Sequence, residues 1–403
     1  MDLQFTAAEE EFRAEARIWL AGHAPTTPLP SLETAEGFAA HREWEHQLAA
    51  DRWSVVSWPE KYGGRGASLW QWLLFEEEYY RAGAPGRVSQ NGISLLAPTL
   101  FEHGTEEQRA RVLGPMARGE VIWAQAWSEP EAGSDLASLR SAAVRTDGGW
   151  LLSGQKTWSS RAAFADRAFG LFRSDPDTAR PHQGLTYLMF PLDAPGVTVR
   201  PIGRLDGKPA FAELFLDEVF VPDADVIGEP GQGWRIAMST TGKERGLTLR
   251  SPGRFTAAAE RLAALWLWHE APEGTAPALG DRVADALIGA RAYQLFTYAH
   301  ASRLAADEGA APDRAQPKTG DLGAASSLNK VFWSELDLAL HETALDLLGP
   351  YGMLADDADE APAHGSWAEG YTFSLAGPIY AGTNEIQRDI IAERLLGLPK
   401  GRR

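Results

Sequence analysis

Three stretches of this 403-residue chain place polar side chains next to glycine, at residues 125–135, 154–160 and 380–385. Glycine lets the backbone approach a ligand closely. Hydroxyl groups and backbone N–H groups at a turn can donate to a ring edge that offers nitrogen and oxygen acceptors. The residue types in these stretches are therefore compatible with binding of a planar heteroaromatic ligand.

Each stretch also has a purely structural interpretation. Ser128 is expected to cap a turn or helix if it has no ligand, and Trp158 to fill the core of a sheet. Asp135 suits an Asx turn. Thr383 suits the N-cap of the last helix, a role that is compatible with ligand contact.

A carboxylate suited to proton transfer lies in a helical segment at Glu244-Arg245. Gly242 and Gly246 are one turn apart and leave room for a ligand beside the helix. A helical projection puts Glu244 at the border of one face, which is formed by Trp234, Met238, Thr241 and Arg245. The alternative for Glu244 is a solvated carboxylate, the usual position of a glutamate.

Composition excludes several classes of function. The net charge of −17 disfavours nucleic acid and anionic membrane surfaces as partners. An anionic nucleotide would then have to be held locally, by backbone N–H groups and a few Arg or Lys side chains. The chain has no cysteine, and its nine histidines show no metal-ligand spacing. We expect neither a disulfide nor a metal site.

The N-terminal sequence MDLQFTAAEEEFRAEARIWL carries acids where a secretory signal would carry basic residues. We find no apolar run of the roughly 20 residues that a membrane span needs. These features predict a cytoplasmic protein.

Hydrophobic periodicity predicts an α, then β, then α order along the chain. Helices are expected in residues 1–118, among them Leu69–Tyr80 and Thr105–Arg118, with Thr105 and Gln108 spaced as a capping box. Strands are expected over 121–230, starting with a hairpin at Asp147-Gly148-Gly149. Long helices follow Gly233. We therefore predict an α+β chain with a helical domain (1–120), an antiparallel β-barrel (121–232) and a C-terminal four-helix bundle (233–403).

Four collinear motifs make the chain similar to the acyl-CoA dehydrogenase family. Residues 125–135 (QAWSEPEAGSD) resemble that family's S-E-P-x-A-G-S-D signature, and 154–160 (GQKTWSS) resemble its G-x-K-x-W strand. Residues 214–233 resemble its strand, V-P turn and G-x-G helix entry. The ending IYAGTNEIQRDIIAERLLGL resembles its closing helix. Within the family, the closest similarity is to actinobacterial members that act on branched, bulky or steroid-side-chain thioesters.

The resemblance implies FAD as cofactor and assigns residues to it. Gln125, Trp127 and Ser128 would line the pyrimidine edge of the flavin. Trp158 and Ser160 would pack against the ring and approach N5. Thr383 and Glu385 would contact the diphosphate or adenosine.

The resemblance also implies a reaction, in which a base removes the α-proton of an acyl-CoA and the β-hydride passes to the flavin, giving a trans-2-enoyl-CoA. Many members carry the base directly before the Gly-Thr of the last motif, where this chain has Ala381. Isovaleryl- and long-chain-type members carry it where this chain has Glu244.

Five residues are assigned to the substrate by the same resemblance. Ser134 would contact the pantetheine arm, and Arg245 would fix its helix or hold the thioester end. An inter-helix ion pair is an equal alternative for Arg245. The remaining assignments are Tyr380, Ala381 and Gly382.

Two motifs of the family are absent. The region Glu273–Arg282 lacks R-x-x-F-G, and no Gln precedes the stretch Gly349-Pro350-Tyr351-Gly352. Such losses occur in members that form mixed α2β2 tetramers. The resemblance thus leaves a homodimer, a homotetramer or a hetero-oligomer open.

Three functions are compatible with these features. The first is an acyl-CoA dehydrogenase that passes electrons to an electron-transfer flavoprotein. The second is a non-catalytic subunit of a hetero-oligomeric dehydrogenase. The third is a flavoenzyme of the same fold that acts on a carrier-protein-bound acyl group or as an oxygenase.

Overall fold

A computed structural model of the chain describes residues 4–245, 251–268, 277–308, 319–356 and 358–401. Side chains are described within these ranges except at 241–245, 268, 277, 305–308 and 319–325. The chain forms two compact units, one of residues 29–67 and 85–244 and the other of residues 1–28, 68–84 and 245–403. Each unit contains helices from the first 120 residues.

Among the described residues, the first of these units contains four α-helices and eight strands. Its helices are α2 (Ala35–Ala50), α4 (Ala97–His103), α5 (Glu106–Ala117) and α6 (Gly233–Arg245). Its strands are β1 (Trp123–Ala126), β2 (Ala142–Thr146), β3 (Gly149–Ser160), β4 (Arg167–Arg173), β5 (Leu185–Pro191), β6 (Val197–Ile202), β7 (Phe211–Pro222) and β8 (Val226–Ile227).

The strands form one sheet in the order β6-β7-β3-β2-β4-β5-β8, with β1 paired to β4. Most pairings are antiparallel, as the sequence predicts, but β1 and β2 each run parallel to β4. The predicted hairpin is confirmed, because Ala142–Thr146 pair with residues 149–153 around Gly148, whose φ is +70°. The sheet buries a continuous apolar core that includes Leu152, Leu188 and Leu214.

The second unit is helical. It contains α1 (Ala7–His23), α3 (Leu69–Arg81), α7 (Pro252–Trp268), α8 (Pro277–Glu308), α9 (Thr319–Leu348), α10 (Ser366–Ser374) and α11 (Asn384–Ile390). Phe255, Tyr293, Trp333 and Leu340, from α7, α8 and α9, share one buried cluster. These helices therefore pack as a bundle, as the periodicity predicts.

Helix starts follow the capping signals in the sequence. Thr105 and Gln108 form the predicted capping box of α5. Thr383 caps α11, since its side chain accepts a hydrogen bond from the backbone N–H of Ile386 at 3.3 Å. Hydroxyl oxygens at these positions satisfy N–H groups that the helix itself cannot pair.

Candidate active site

The signature loop, residues 127–141, begins where β1 ends and lies against β3. The carbonyl oxygen of Ser128 accepts a hydrogen bond from the backbone N–H of Thr157 at 2.9 Å. This bond joins the predicted ligand residues of the loop to those of the strand. The structure therefore brings residues 125–128 together with residues 157–160, which are about 30 positions apart in the sequence.

Three buried donors around this junction have no hydrogen-bond partner among the described residues. They are the Gln125 amide Nε2, the Trp127 indole Nε1 and the Ser159 hydroxyl. A buried polar atom without a partner costs about 1–3 kcal/mol, so native proteins rarely keep several together. Donors of this kind fit a ligand that presents nitrogen and oxygen acceptors, as the isoalloxazine ring of a flavin does.

Trp158 has an unusual backbone conformation and an exposed ring. Its φ is +60°, at an irregularity in the pairing of β3 with β7 between Lys156 and Ser159. The residue is 60% exposed, and its indole meets the ring of Phe211 edge-on with centroids 5.9 Å apart. Such exposure excludes the core position considered from the sequence. Positive φ at a bulky residue is a feature of functional sites.

Ser160 and Ser128 flank this surface. Ser160 is half-buried at the end of β3 and pairs with Phe211, and Ser128 is also half-buried. Both residues are therefore partly accessible, on the two segments that the Ser128–Thr157 bond joins.

Beneath this surface lies an ion pair that the sequence motifs contain but that the sequence reasoning missed. Lys156 is fully buried, and its Nζ lies 2.8 Å from Oε1 of Glu129. Glu129 also accepts the backbone N–H groups of Arg140 at 2.6 Å and Ser141 at 2.8 Å. A lysine in the middle of a predicted strand, together with the Glu of S-E-P, was the available signal.

The pair shifts the pKa of both groups. Burial lowers the pKa of the Lys156 ammonium to about 8, although Glu129 opposes that effect. Burial alone would raise the pKa of Glu129, but the charge of Lys156 and the hydrogen bonds to the carboxylate bring it below its ordinary value. Both groups are therefore largely ionised at neutral pH.

The rest of the signature loop is more open. Ser134 is exposed, so its hydroxyl is accessible. Asp135 is exposed as well and precedes a 3-10 turn, but its carboxylate does not cap that turn. Its carbonyl oxygen accepts from the Ser138 hydroxyl at 2.7 Å instead. The Asx turn considered from the sequence is therefore not formed.

In the helical unit, the C-terminal turn (residues 380–383) holds four of the predicted site residues. Ala381 and Gly382 have consecutive positive φ values of +56° and +79°. Gln387, which is fully buried, donates from Nε2 to the carbonyl oxygens of Ala381 at 3.0 Å and Gly382 at 3.3 Å. One neutral amide therefore holds both left-handed residues of the turn.

The residues around this turn are anchored to α9. The buried Asn384 accepts hydrogen bonds at Oδ1 from Nζ of Lys330 at 2.7 Å and from the Ser334 hydroxyl at 3.1 Å. The Tyr380 ring lies 5.9 Å from that of Trp333, measured between centroids. Neither the Gln387 bonds nor the Asn384 anchor was inferred from the sequence.

Glu385 is exposed at the first turn of α11. Hydrogen bonds from its own backbone N–H and from Thr383 lower the pKa of its carboxyl group. It is therefore anionic at neutral pH, at a helix end that favours negative charge.

Glu244 and Arg245 lie at the C-terminal end of α6, but their side chains are outside the described residues, as is Gly246 entirely. The preceding turn of α6 is anchored in its own unit. The buried hydroxyl group of Thr240 lies 2.8 Å from that of Thr99, and the Ser239 hydroxyl donates to Glu102 at 2.7 Å. These bonds fix the helix one turn before Glu244.

The described residues also bear on two other classes of function. No group of three or more His, Asp or Glu side chains there is arranged to hold a metal ion. No described helix is both long and apolar enough to cross a membrane.

Three family models cover nearly the whole chain. They describe the N-terminal domain (residues 6–120), the middle domain (124–219) and the C-terminal domain (231–396) of acyl-CoA dehydrogenases. The acyl-CoA dehydrogenase IpdE1 of Mycobacterium tuberculosis is 39% identical over 399 residues, which cover 97% of this chain and 98% of that protein.

Solved structures give the same result. A structure titled Tcur3481-Tcur3483 steroid ACAD matches all of both chains with a TM-score of 0.85 and 28% identity. The ChsE4-ChsE5 complex from Mycobacterium tuberculosis matches all of both chains with a TM-score of 0.80 and 29% identity. The fold predicted from the sequence is therefore confirmed.

The chain belongs to the acyl-CoA dehydrogenase family. It is accordingly an oxidoreductase that dehydrogenates acyl-CoA, in a family that depends on flavin.

Proposed function

We propose that this chain binds FAD and dehydrogenates a bulky acyl-CoA, of the steroid-side-chain type, with Glu244 as the base. The observation that carries the cofactor assignment is the set of unpartnered buried donors at Gln125, Trp127 and Ser159, next to the exposed indole of Trp158. These donors would face the acceptors of the flavin ring, and the indole would cover part of its surface.

Bound FAD would supply the hydride acceptor. The chain would supply the base, and only Glu244 fills that role in the proposal, because Ala381 has no group that can take a proton. Exclusion of water from the cleft would raise the pKa of a carboxylate and make it a better base.

The remaining predicted residues serve binding in this proposal. Ser128 and Ser160 would contact the flavin, and Thr383 and Glu385 its diphosphate or adenosine portion. Ser134, which is exposed, would contact the pantetheine arm.

The thioester portion of the substrate would be held by other groups. Arg245 would hold the thioester end or fix its helix. Tyr380, Ala381 and Gly382 would line the acyl side, where alanine leaves more room than glutamate would.

The substrate class is proposed from similarity. A structure that is 28% identical over the full chain is titled a steroid ACAD, and bulky thioesters agree with the small residue at Ala381. We further propose that electrons pass to an electron-transfer flavoprotein.

An activity panel tests these proposals. We expect the purified chain to retain FAD and to reduce a dye with a steroid-side-chain acyl-CoA faster than with straight-chain or carrier-protein-bound substrates. Equal or faster reduction with a straight-chain or carrier-bound acyl group would contradict the substrate class. Oxygen consumption without an added acceptor would point to an oxygenase.

A second candidate is a subunit of a hetero-oligomer. Two similar structures carry paired names, one of them titled a complex, and the chain lacks R-x-x-F-G. Light scattering of the chain alone and with a co-expressed second dehydrogenase chain separates these cases. Activity that appears only in the mixed assembly, with a colourless chain alone, would favour the second candidate.

A further inference from the structure

Lys156 makes three polar contacts although it is fully buried. Its Nζ lies 2.8 Å from Oε1 of Glu129, 2.7 Å from the carbonyl oxygen of Leu171 and 3.4 Å from that of Trp127. An ammonium group has three N–H donors, so these acceptors account for all of them. The charge is therefore fixed in one position.

The acceptors belong to different parts of the unit. Trp127 and Glu129 belong to the signature loop, while Leu171 belongs to β4. Through its carboxylate, Glu129 also holds the N–H groups at the far end of the loop, at Arg140 and Ser141. A single buried ion pair thus ties both ends of the signature loop to the sheet.

The contact between Lys156 and the Trp127 carbonyl oxygen determines the direction in which the Ser128 N–H points. The chain has no cis peptide among its described residues, and in a trans peptide the C=O and the following N–H point in opposite directions. Because the Trp127 carbonyl points towards Lys156, the Ser128 N–H points away from it. A cation at the carbonyl end polarises the peptide and strengthens that N–H as a donor.

The irregularity in β3, between Lys156 and Ser159, puts the Lys156 ammonium group and the Trp158 indole in different surroundings. Lys156 is fully buried, whereas Trp158, two residues later, is 60% exposed. In a regular strand these two side chains would share one face. The positive φ of Trp158 breaks this alternation. The buried ammonium group of Lys156, which holds the loop, and the exposed indole of Trp158, which would face the ligand, therefore lie only two residues apart.

We propose that Lys156 and Glu129 are positioning residues for the flavin. They orient the peptide between Trp127 and Ser128, and with it the groups of Trp127 and Ser128 that the proposed function places against the flavin. The inference rests on that proposed function, and neither residue is proposed to touch the flavin or the substrate.

The test is FAD affinity and the visible spectrum of bound flavin in full-length Glu129→Gln and Lys156→Met. Glu129→Gln keeps the shape of the side chain and serves if Lys156→Met does not fold. Glu45→Gln is the matched control, since Glu45 is buried in the same unit, pairs with Arg87 and accepts from Ser89. Folding of each variant is checked by circular dichroism.

We expect both variants at the signature loop to weaken FAD binding by about tenfold or more, the factor that one charge-assisted hydrogen bond represents. The flavin absorption band should shift as well. Glu45→Gln should lose about as much stability as the two signature-loop variants, but its FAD affinity should change by less than about twofold.

Provided that the wild-type chain binds FAD, two results would overturn this inference but leave the proposed function intact. One is wild-type affinity and spectrum in both signature-loop variants. The other is an equal loss of affinity in Glu45→Gln, which would show that general destabilisation is the cause. A folded wild-type chain that binds no FAD would instead overturn the proposed function, and the inference with it.

Discussion

The signature loop and the C-terminal turn are held in place in different ways. The loop is tied by a buried ammonium and carboxylate, Lys156 and Glu129, whereas the turn is tied by one neutral amide, Gln387. In both, a buried side chain donates to backbone carbonyls. A charged anchor needs its counter-ion, since a lone buried charge is costly, but a neutral amide does not. We therefore expect the two regions to differ in their response to mutation and pH.

The largest effect is expected when one partner of the ion pair is removed. Lys156→Met should lower the free energy of unfolding by about 3–5 kcal/mol, because it leaves the carboxylate of Glu129 buried without its cation. Chemical denaturation measures this loss. The double variant Lys156→Met/Glu129→Gln should be no less stable than the single one. Additive losses in the double variant would contradict the account of a coupled pair.

The ion pair should also make stability depend on pH. The pKa of Glu129 is lower in the folded chain, so its stabilising effect is present above its ordinary value of 4.5 and is lost as pH falls towards the folded value. Glu129→Gln should therefore be less stable than wild type by roughly 1–3 kcal/mol at neutral pH. The difference in free energy of unfolding between this variant and wild type should narrow below pH 4.5, which chemical denaturation at a series of pH values would measure. A constant gap would contradict the assignment.

The neutral anchor should give a smaller effect that does not depend on pH. Gln387→Met keeps the size of the side chain but loses both bonds to the C-terminal turn, at a cost of about 1–2 kcal/mol. In the same denaturation series, the difference in free energy of unfolding between Gln387→Met and wild type should stay constant between acid and neutral pH. A pH-dependent gap would show that a charged group acts through this turn.

The smallest effect is expected at the helix cap. Thr383→Ala should cost about 1 kcal/mol, as should Thr105→Ala at α5. Only the first variant should also weaken FAD binding, because Thr105 has no role in the proposed site. If titrations show equal FAD affinity in both variants, Thr383 is a cap and nothing more.

Much of the architecture could be predicted from the sequence, because it depends on local signals. Hydrophobic periodicity, the Thr105 capping box and the Asp147-Gly148-Gly149 hairpin each act within a few residues. The four motifs identified the family because they are specific and collinear. These local and family-wide signals led to the correct α, β, α order.

The internal support of the site could not be predicted in the same way. Glu129 and Lys156 are 27 residues apart, and their contact depends on how the signature loop folds against β3. The exposure of Trp158 depends on an irregularity that breaks the alternation of the strand. Gln387 reaches back six residues across two positive φ angles. Such contacts follow from tertiary packing, which periodicity does not encode.

The central claim is that Glu244 is the base, and proton exchange tests it most directly. We would incubate wild type, Glu244→Gln and Glu260→Gln with the preferred acyl-CoA in deuterated water and follow both exchange at the α-carbon and dye reduction. Glu260 is an exposed helix carboxylate and serves as the matched control.

We predict that Glu244→Gln retains FAD but that its rates of α-proton exchange and dye reduction fall by roughly 10²–10⁴-fold, while Glu260→Gln behaves as wild type. Wild-type exchange and turnover in Glu244→Gln would contradict this prediction.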